Sequence, residues 1–209
     1  MTSELKKRIF TSLSLFILLL AMYFYSYILI IALVVIATIV WIEFYALVSK
    51  IIIKNKFKDK LIRFLSKAMS LLYLSLLVYC ILAINFYYKD LELYLLYSFF
   101  VAICSDIGGL AVGKTFKGRK LTKISPNKTI SGSIGSFVFS LFLIPLFYND
   151  LVYNNIIGLI LITILISLSS QLGDLFFSYM KRQAKVKNTS NLLPGHGGFL
   201  DRVDGIIFA

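Results

Sequence analysis

The hydrophobic residues of this chain fall in long runs that short polar and basic segments separate. A helix needs about 20 apolar residues to cross the hydrocarbon core of a bilayer, and six stretches are long enough. They lie near Ile9–Phe24, Tyr27–Val48, Ala68–Tyr87, Leu93–Val112, Ile130–Phe147 and Asn155–Phe177. Because these runs are long and do not alternate between apolar and polar residues, they predict helices rather than strands. The first two runs form a predicted hairpin that is broken around Tyr25 and Ser26.

The composition supports a membrane protein. The chain is 59% hydrophobic with a mean hydropathy of +0.86, and a soluble domain of this length could not bury so much apolar surface. We therefore predict an all-α polytopic membrane protein with about six transmembrane helices, forming one integral membrane catalytic domain over residues 1–209. The final Ile206–Ala209 has the pattern of the start of a further apolar helix, so the chain either stops there or belongs to a longer one.

The net charge of +12 would suggest nucleic-acid binding in a soluble protein. Here the basic residues lie in short blocks between apolar runs, so we expect them to set the membrane topology and expect no nucleic-acid partner. Of the 22 Lys and Arg residues, all but Lys89 fall on one side of the six-helix arrangement. The positive-inside rule makes that side the cytoplasm and places the N-terminus there. Cys80 and Cys104 lie in apolar runs without disulfide or zinc spacing.

Residues 173–204 combine acids, cations and glycines on the predicted cytoplasmic side. The segment contains Asp174, Lys181, Arg182, Lys187, Gly195, His196, Gly197, Gly198, Asp201, Arg202 and Asp204. Glycines allow the backbone to approach a phosphate closely, and carboxylates tolerate a phosphate only when a cation lies between them. This combination indicates a metal-bridged polyphosphate site. The alternative is a solvated loop whose cations only set the topology.

Two other segments are more polar than a membrane helix requires. Asp106 lies within the predicted fourth helix, where an acid is costly and therefore suggests function; alternatively it lies at the interface or caps a broken helix. Ser125 with Pro126 is typical of a helix start, and Lys128 nearby would make that helix end an anion site. We assign no role to Glu43, near the end of the second helix.

The segment from Ser178 to Asp204 resembles the signature of the phosphatidate cytidylyltransferase family, also called CDP-diacylglycerol synthases. The matching positions are Ser178, Lys181, Arg182, Lys187, Pro194, His196, Gly197, Gly198, Asp201, Arg202 and Asp204. Residues 171–175, 105–109 and 125–129 are also similar to family motifs, so the resemblance covers roughly the whole chain. Ser131, Phe177 and Asn188 stand where the family pattern has acidic residues.

This resemblance implies transfer of a cytidylyl group from CTP to phosphatidic acid, giving CDP-diacylglycerol and diphosphate in phospholipid biosynthesis. It implies that Asp174 and Asp201 bind Mg²⁺, with a second cation such as K⁺. The implied catalytic residues are Asp174, Asp201, Lys181, Arg182, His196 and Arg202. The implied substrate-binding residues are Ser125, Lys128, Asp106, Lys187, Gly197, Gly198 and Asp204. The family also implies contact with membrane lipids, a homodimer and a location in a bacterial inner membrane with a cytoplasmic active site.

Two other functions are compatible with the same pattern. A CTP-dependent polyprenol or lipid kinase would use the same nucleotide but release CDP instead of diphosphate. A catalytically inactive relative or a transporter would only bind anionic lipid, and the three missing acids are the reason to consider it. A CDP-alcohol phosphatidyltransferase is disfavoured, because its D-G-x-x-A-R pattern is absent from the sequence.

Overall fold

The computed structural model describes residues 3–53, 56–122, 125, 128–151 and 155–209, and in these ranges the regular elements are helices. They are α1 (Ser3–Phe24), α2 (Ser26–Ile51), α3 (Phe57–Tyr87), α4 (Glu92–Phe116), α5 (Ile130–Leu141), α6 (Ile144–Leu151), α7 (Ile156–Gln183) and α8 (Leu200–Val203). Short 3₁₀ turns cover Lys89–Leu91 and Ile206–Phe208. The described ranges contain no strand, only two isolated β-bridges.

By length and composition, five helical segments of the described chain are suited to cross a membrane. They are Leu5–Phe24, Ser26–Ile51, Phe57–Tyr87, Lys89–Phe116 and Ile156–Gln183. Helices α5 and α6 are apolar enough to count together as a sixth span, although they are bent by 42° at the break between them. The predicted class of an all-α polytopic membrane protein is therefore confirmed, as is the break at Tyr25, which separates α1 from α2.

The predicted fifth helix near Ile130–Phe147 is not continuous, because α5 ends at Leu141 and α6 starts at Ile144. Proline explains the break. Pro145 has no backbone N–H, and its ring clashes with the carbonyl four residues earlier in a continuous helix. That carbonyl belongs to Leu141, the last residue of α5.

The prediction that a helix starts at Ser125 and Pro126 is wrong. Pro126 lies outside the described residues, but Lys128 and Thr129, which would lie in the first turn of such a helix, are not helical. Helix α5 begins at Ile130, and its N-cap Thr129 accepts a hydrogen bond from the Gly132 N–H at 3.0 Å. The residues before it are extended, because the Leu121 N–H donates to the Lys128 carbonyl (2.8 Å). Backbone pairing therefore replaces the expected helical turn.

Some helices continue beyond their apolar runs. Helix α3 begins at Phe57 instead of near Ala68, so it includes a basic segment. Helix α7 continues to Gln183, which places Lys181 and Arg182 in its last turn. Cations are favoured there by the helix dipole. The chain then turns at Lys185, whose φ is 55°, and the Val186 N–H donates to the Lys181 carbonyl (3.0 Å).

The tertiary contacts within the chain divide it into two compact units. The sequence predicted a single catalytic domain, and this division does not test that prediction. The first unit consists of the described residues of Met1–Ala83 with Met180–Arg202. It contains α1, α2, most of α3 and the loop after α7. The second unit consists of the described residues of Ile84–Tyr179 with Val203–Ala209, and contains α4, α5, α6 and most of α7.

Within the second unit, α4 and α5 pack closely through glycines. A Cβ atom on Gly108 would lie 2.5 Å from the Gly135 carbonyl oxygen, and one on Gly109 would lie 2.6 Å from the Ser136 hydroxyl oxygen. Small residues allow membrane helices to approach at such distances. Helix α4 is continuous through Asp106, so the two glycines serve close packing rather than a helix break.

Candidate active site

Asp201 lies at the centre of a polar cluster in the first unit. Its Oδ1 accepts a hydrogen bond from the Lys181 ammonium at 2.7 Å. Its Oδ2 accepts from the Thr189 N–H (2.9 Å) and the Gly198 N–H (3.0 Å), and the Thr189 hydroxyl oxygen lies 3.1 Å away. The Lys181 and Asp201 side chains are only 13% and 7% exposed, so this ion pair is shielded from water.

The electrostatics of Asp201 reflect these contacts. Burial by itself raises the pKa of the Asp201 carboxyl. The hydrogen bond and charge of Lys181 and the N–H groups of Thr189 and Gly198 outweigh burial, so the pKa of Asp201 lies below its ordinary value. Asp201 is therefore held as a carboxylate.

Glu43 provides a second carboxylate to the same loop. It projects from α2 and is only 3% exposed. Its Oε1 accepts from the Ser190 hydroxyl (2.6 Å) and the Phe199 N–H (3.0 Å). Its Oε2 accepts from the Thr189 hydroxyl (2.8 Å) and the Leu200 N–H (2.8 Å). The segment 189–201, called here the signature loop, is thus held by two carboxylates.

The loop glycines are required by these contacts. A Cβ atom on Gly198 would overlap the Thr189 hydroxyl and lie 2.6 Å from Glu43 Oε2. Gly197 has a φ of +87°, which disfavours any residue with a side chain. The sequence suggested that these glycines let the backbone approach a phosphate. The structure gives a separate reason at Gly198, because the protein's own atoms occupy the space.

His196 and Arg202 are joined through the backbone. The Arg202 guanidinium donates to the His196 carbonyl from Nη2 (2.7 Å) and Nε (3.3 Å). The His196 Nε2 lies 3.4 Å from the Ser12 hydroxyl, and its Nδ1 is buried without a hydrogen-bond partner among the described residues. Arg182 and Lys187 are exposed cations of the same unit.

A second charged group lies in the second unit. Lys128 and Asp174 form an ion pair, and their side chains are 25% and 30% exposed. Among the described residues, the other Asp174 oxygen has only a long contact, 3.4 Å, with the Ser178 hydroxyl. Asp106 lies within electrostatic range of both Asp174 and Lys128. The fold therefore brings together Asp106, Lys128 and Asp174, three residues predicted from separate motifs.

Two other predicted residues have local structural contacts. The Ser125 carbonyl accepts a hydrogen bond from the Lys128 N–H at 3.1 Å. Asp204 is buried, and its Oδ1 accepts from the Gly205 N–H at 3.0 Å. A Cβ atom on Gly173 would lie 2.7 Å from the Asp204 carbonyl oxygen, so this glycine lets α7 approach the backbone closely. Substrate binding by Ser125 and Asp204 stays a prediction.

The three positions that lack the family's acids have different surroundings. Ser131 accepts a hydrogen bond from the Gly118 N–H at 3.3 Å, next to the N-cap of α5. Phe177 is buried, with its ring centroid 5.9 Å from that of Phe208. Asn188 is exposed beside Gly197. In the described structure, Ser131 and Phe177 therefore serve local hydrogen bonding and packing.

Sequence reasoning missed Glu43. The signal was present, because an acid inside an apolar run is a functional hypothesis by default, and the same argument was applied to Asp106. Its partners, however, lie more than a hundred positions later in the chain, so no local pattern pointed to them.

The two carboxylates predicted to bind magnesium differ in how they fit a metal ion. Among the described residues, no group of three or more His, Cys, Asp or Glu side chains has the arrangement of a metal site. Asp174 retains acceptor capacity and is accessible, so it fits a cation. Asp201 does not fit one as it stands, because three donors occupy its oxygens and Lys181 supplies the positive charge.

Comparison with known proteins agrees with the sequence resemblance. A Staphylococcus haemolyticus protein named phosphatidate cytidylyltransferase is 45% identical to this chain over 119 residues, which cover 55% of this chain and 45% of the relative. A protein of the same name in Bacillus subtilis is 44% identical over 119 residues, which cover 55% of this chain and 44% of the relative. Another in Rickettsia bellii is 46% identical over 110 residues, which cover 49% of this chain and 48% of the relative. The chain spans about half the length of these curated relatives. The sequence model of the cytidylyltransferase family matches residues 1–209, and the chain therefore belongs to that family.

Proposed function

We propose that this protein transfers a cytidylyl group from CTP to phosphatidic acid, yielding CDP-diacylglycerol and diphosphate. The observation that carries the proposal is the Ser178–Asp204 signature, with its buried Lys181–Asp201 pair and its exposed cations. The names of the similar proteins support the same reaction.

The reaction needs charge neutralisation more than a base. A phosphate oxygen of the lipid attacks the α-phosphorus of CTP; the new P–O bond forms as the bond between the α-phosphorus and its bridging oxygen breaks, and diphosphate leaves. A phosphate monoester has a second pKa of about 6, so it is largely dianionic at neutral pH and needs little help to attack. The main barrier is to bring two polyanions together, which positioned cations reduce.

The chain provides several groups for this task. The exposed cations Arg182, Lys187 and Arg202 of the first unit bind phosphate oxygens in the proposal, and Lys181 keeps Asp201 ionised. The Nδ1 of His196 is buried without a partner among the described residues, and contact of His196 with a phosphate stays a prediction. Gly197 and Gly198 keep the loop backbone free of side chains at this point.

In the second unit, Lys128 and Asp174 are the proposed phosphate and metal contacts. Asp174 would hold Mg²⁺, which when bound neutralises charge on the phosphates of CTP. The metal role of Asp201 and the second cation, K⁺, stay predictions, since Asp201 would first have to lose Lys181 or its loop donors. The substrate contacts of Asp106 and Ser125 stay predictions as well.

We also propose that the protein lies in a bacterial inner membrane with its N-terminus and active site in the cytoplasm. The distribution of basic residues supports this orientation. CTP is a soluble nucleotide, and phosphatidic acid presents its headgroup at the interface, where basic loops attract anionic lipid. The homodimer stays a prediction from the family resemblance.

Incubation of the purified full-length protein in detergent with labelled CTP, phosphatidic acid and Mg²⁺ tests the reaction. We expect labelled CDP-diacylglycerol and release of diphosphate. Release of CDP would instead identify a kinase, and the absence of product with several divalent metals would refute the enzyme proposal. Arg182→Ala should reduce turnover, whereas Lys58→Ala, which removes an exposed cation of α3, should not.

Cysteine labelling in intact cells tests the orientation. In a background without Cys80 and Cys104, a cysteine placed at Asn149 should react with a membrane-impermeant reagent from outside. One placed at Thr122 should react only after the membrane is opened. The reverse pattern would overturn the proposed topology.

A further inference from the structure

We infer that Glu43 is a positioning residue that holds the signature loop in the shape required for turnover. The kinetic part of this inference rests on the proposed function, whereas the structural part does not. Glu43 is itself not placed in contact with a substrate.

Glu43 uses its full hydrogen-bonding capacity. Each carboxylate oxygen of Glu43 accepts one hydroxyl and one backbone N–H, at 2.6–3.0 Å. A carboxylate has about four acceptor positions, so all of them are used within the protein. The partners lie at both ends of the loop, Thr189 and Ser190 at one end and Phe199 and Leu200 at the other. One side chain therefore closes the loop.

Glu43 is linked directly to Asp201. The Thr189 hydroxyl lies 2.8 Å from Glu43 Oε2 and 3.1 Å from Asp201 Oδ2. The Leu200 N–H that Glu43 binds belongs to the residue before Asp201. Gly198 lies against both carboxylates, because it donates to Asp201 and a Cβ there would lie 2.6 Å from Glu43. A displacement of Glu43 would thus move Asp201 relative to Lys181.

The burial of Glu43 makes its hydrogen bonds energetically necessary. A carboxylate in an apolar span is unfavourable unless its charge is compensated. The partners found for Glu43 are hydroxyls and amides, and they suffice only while the loop keeps this conformation. Disorder in the loop would leave a buried charge without partners, so Glu43 strongly favours the single observed arrangement. By fixing the conformation of the signature loop, Glu43 can position Asp201 without itself contacting a substrate.

The test combines kinetics with hydrogen exchange on the full-length protein in detergent. Glu43→Gln keeps the size of the side chain but places an N–H₂ group against two of the four donors. We expect at least a tenfold fall in kcat per folded enzyme, and faster exchange of the Phe199 and Leu200 amides. Val40→Ala is the control, since Val40 is buried to the same degree on the same helix but is apolar. It should lower the melting temperature and leave both kcat and loop exchange unchanged.

A double-mutant cycle separates positioning from simple stabilisation. If Glu43 acts through the loop, Thr189→Val should reduce kcat in the wild-type background and have less than a threefold effect in the Glu43→Gln background. Folded Glu43→Gln protein with wild-type kcat and wild-type amide exchange would overturn the inference. So would additive effects of the two substitutions on kcat.

The variant Ser190→Ala and the hydrogen-exchange data cover the outcomes in which Glu43→Gln does not fold or the protein is inactive. If Glu43→Gln does not fold, Ser190→Ala removes one donor instead, and unchanged exchange at Phe199 and Leu200 would then refute the role of Glu43. If the wild-type protein has no cytidylyltransferase activity, the exchange data alone decide whether Glu43 orders the loop. Failure of the proposed function is thereby distinguished from failure of this inference.

Discussion

The ion pair between Lys181 and Asp201 makes a quantitative prediction. The N–O distance is 2.7 Å, and the two side chains are 13% and 7% exposed. Removal of one partner from a buried pair costs about 3–5 kcal/mol, because the other charge stays buried after losing that partner. Asp201→Asn should therefore lower the free energy of unfolding by about that amount.

The addition of Lys181→Met to Asp201→Asn tests whether the buried charge of Lys181 causes the loss of stability. In Asp201→Asn, the amide oxygen can still accept from Thr189 and Gly198, which leaves the amide N–H₂ facing the Lys181 ammonium. Adding Lys181→Met removes the charge that Asp201 no longer balances, and replacement of both partners of a buried pair by neutral groups is often close to neutral. The double variant should therefore recover at least half of the stability that the single variant loses.

Thermal unfolding in detergent measures this difference. One kcal/mol corresponds to about 2–4 °C for a chain of this size, so Asp201→Asn should melt about 6–20 °C below the wild-type protein. Turnover should fall by orders of magnitude in both variants, because neither has the Asp201 carboxylate. A double variant that melts at or below the single variant would refute the view that the buried charge of Lys181 causes the loss.

Three other predictions follow from the packing and electrostatics. Gly198→Ala should abolish turnover, because the added methyl group overlaps the Thr189 hydroxyl; wild-type activity would show that the loop differs from the one described. Gly108→Ala should destabilise the α4–α5 contact by about 1–3 kcal/mol, measured as a lower melting temperature, whereas Gly158→Ala should be neutral because a Cβ there makes only ordinary contacts of 3.4 Å or more. Since the pKa of Asp201 lies below its unfolded value of about 3.9, its contribution to stability is complete above that value and lost as the pH falls through the folded pKa. Melting curves from about pH 7 down to about pH 2 should show a larger loss of stability in the wild-type protein than in Asp201→Asn, in which only the other carboxylates titrate.

The membrane helices could be predicted from the sequence because their cause is local. About 20 consecutive apolar residues suffice to favour a helix that crosses a bilayer, and nothing distant in the chain alters that requirement. The break between α5 and α6 was missed although its cause, Pro145, is also local. The apolar run continues through the proline, so hydrophobicity alone did not reveal the end of a helix. Similarly, Thr129 rather than Ser125 caps α5, because backbone pairing with residues 119–121 competes with the helix.

Some residues of the candidate site could be predicted from the sequence, whereas the contacts of others required the fold. The motif Ser178–Asp204 identified Lys181, His196 and Asp201 by spacing alone, since the segment is contiguous in sequence. The ion pair between Lys128 and Asp174 required the fold, because the two residues belong to different motifs.

By itself, the sequence determined the class of the fold, the family and the polar residues that carry the proposed chemistry. Only the tertiary structure decided how these residues are held. Glu43 had no role in the sequence, and in the structure it accepts four hydrogen bonds from residues 189–200. The physical reason is that the partners of a buried carboxylate are chosen by which backbone and hydroxyl groups folding brings within 3 Å, and the pattern of neighbours along a helix contains no record of that choice.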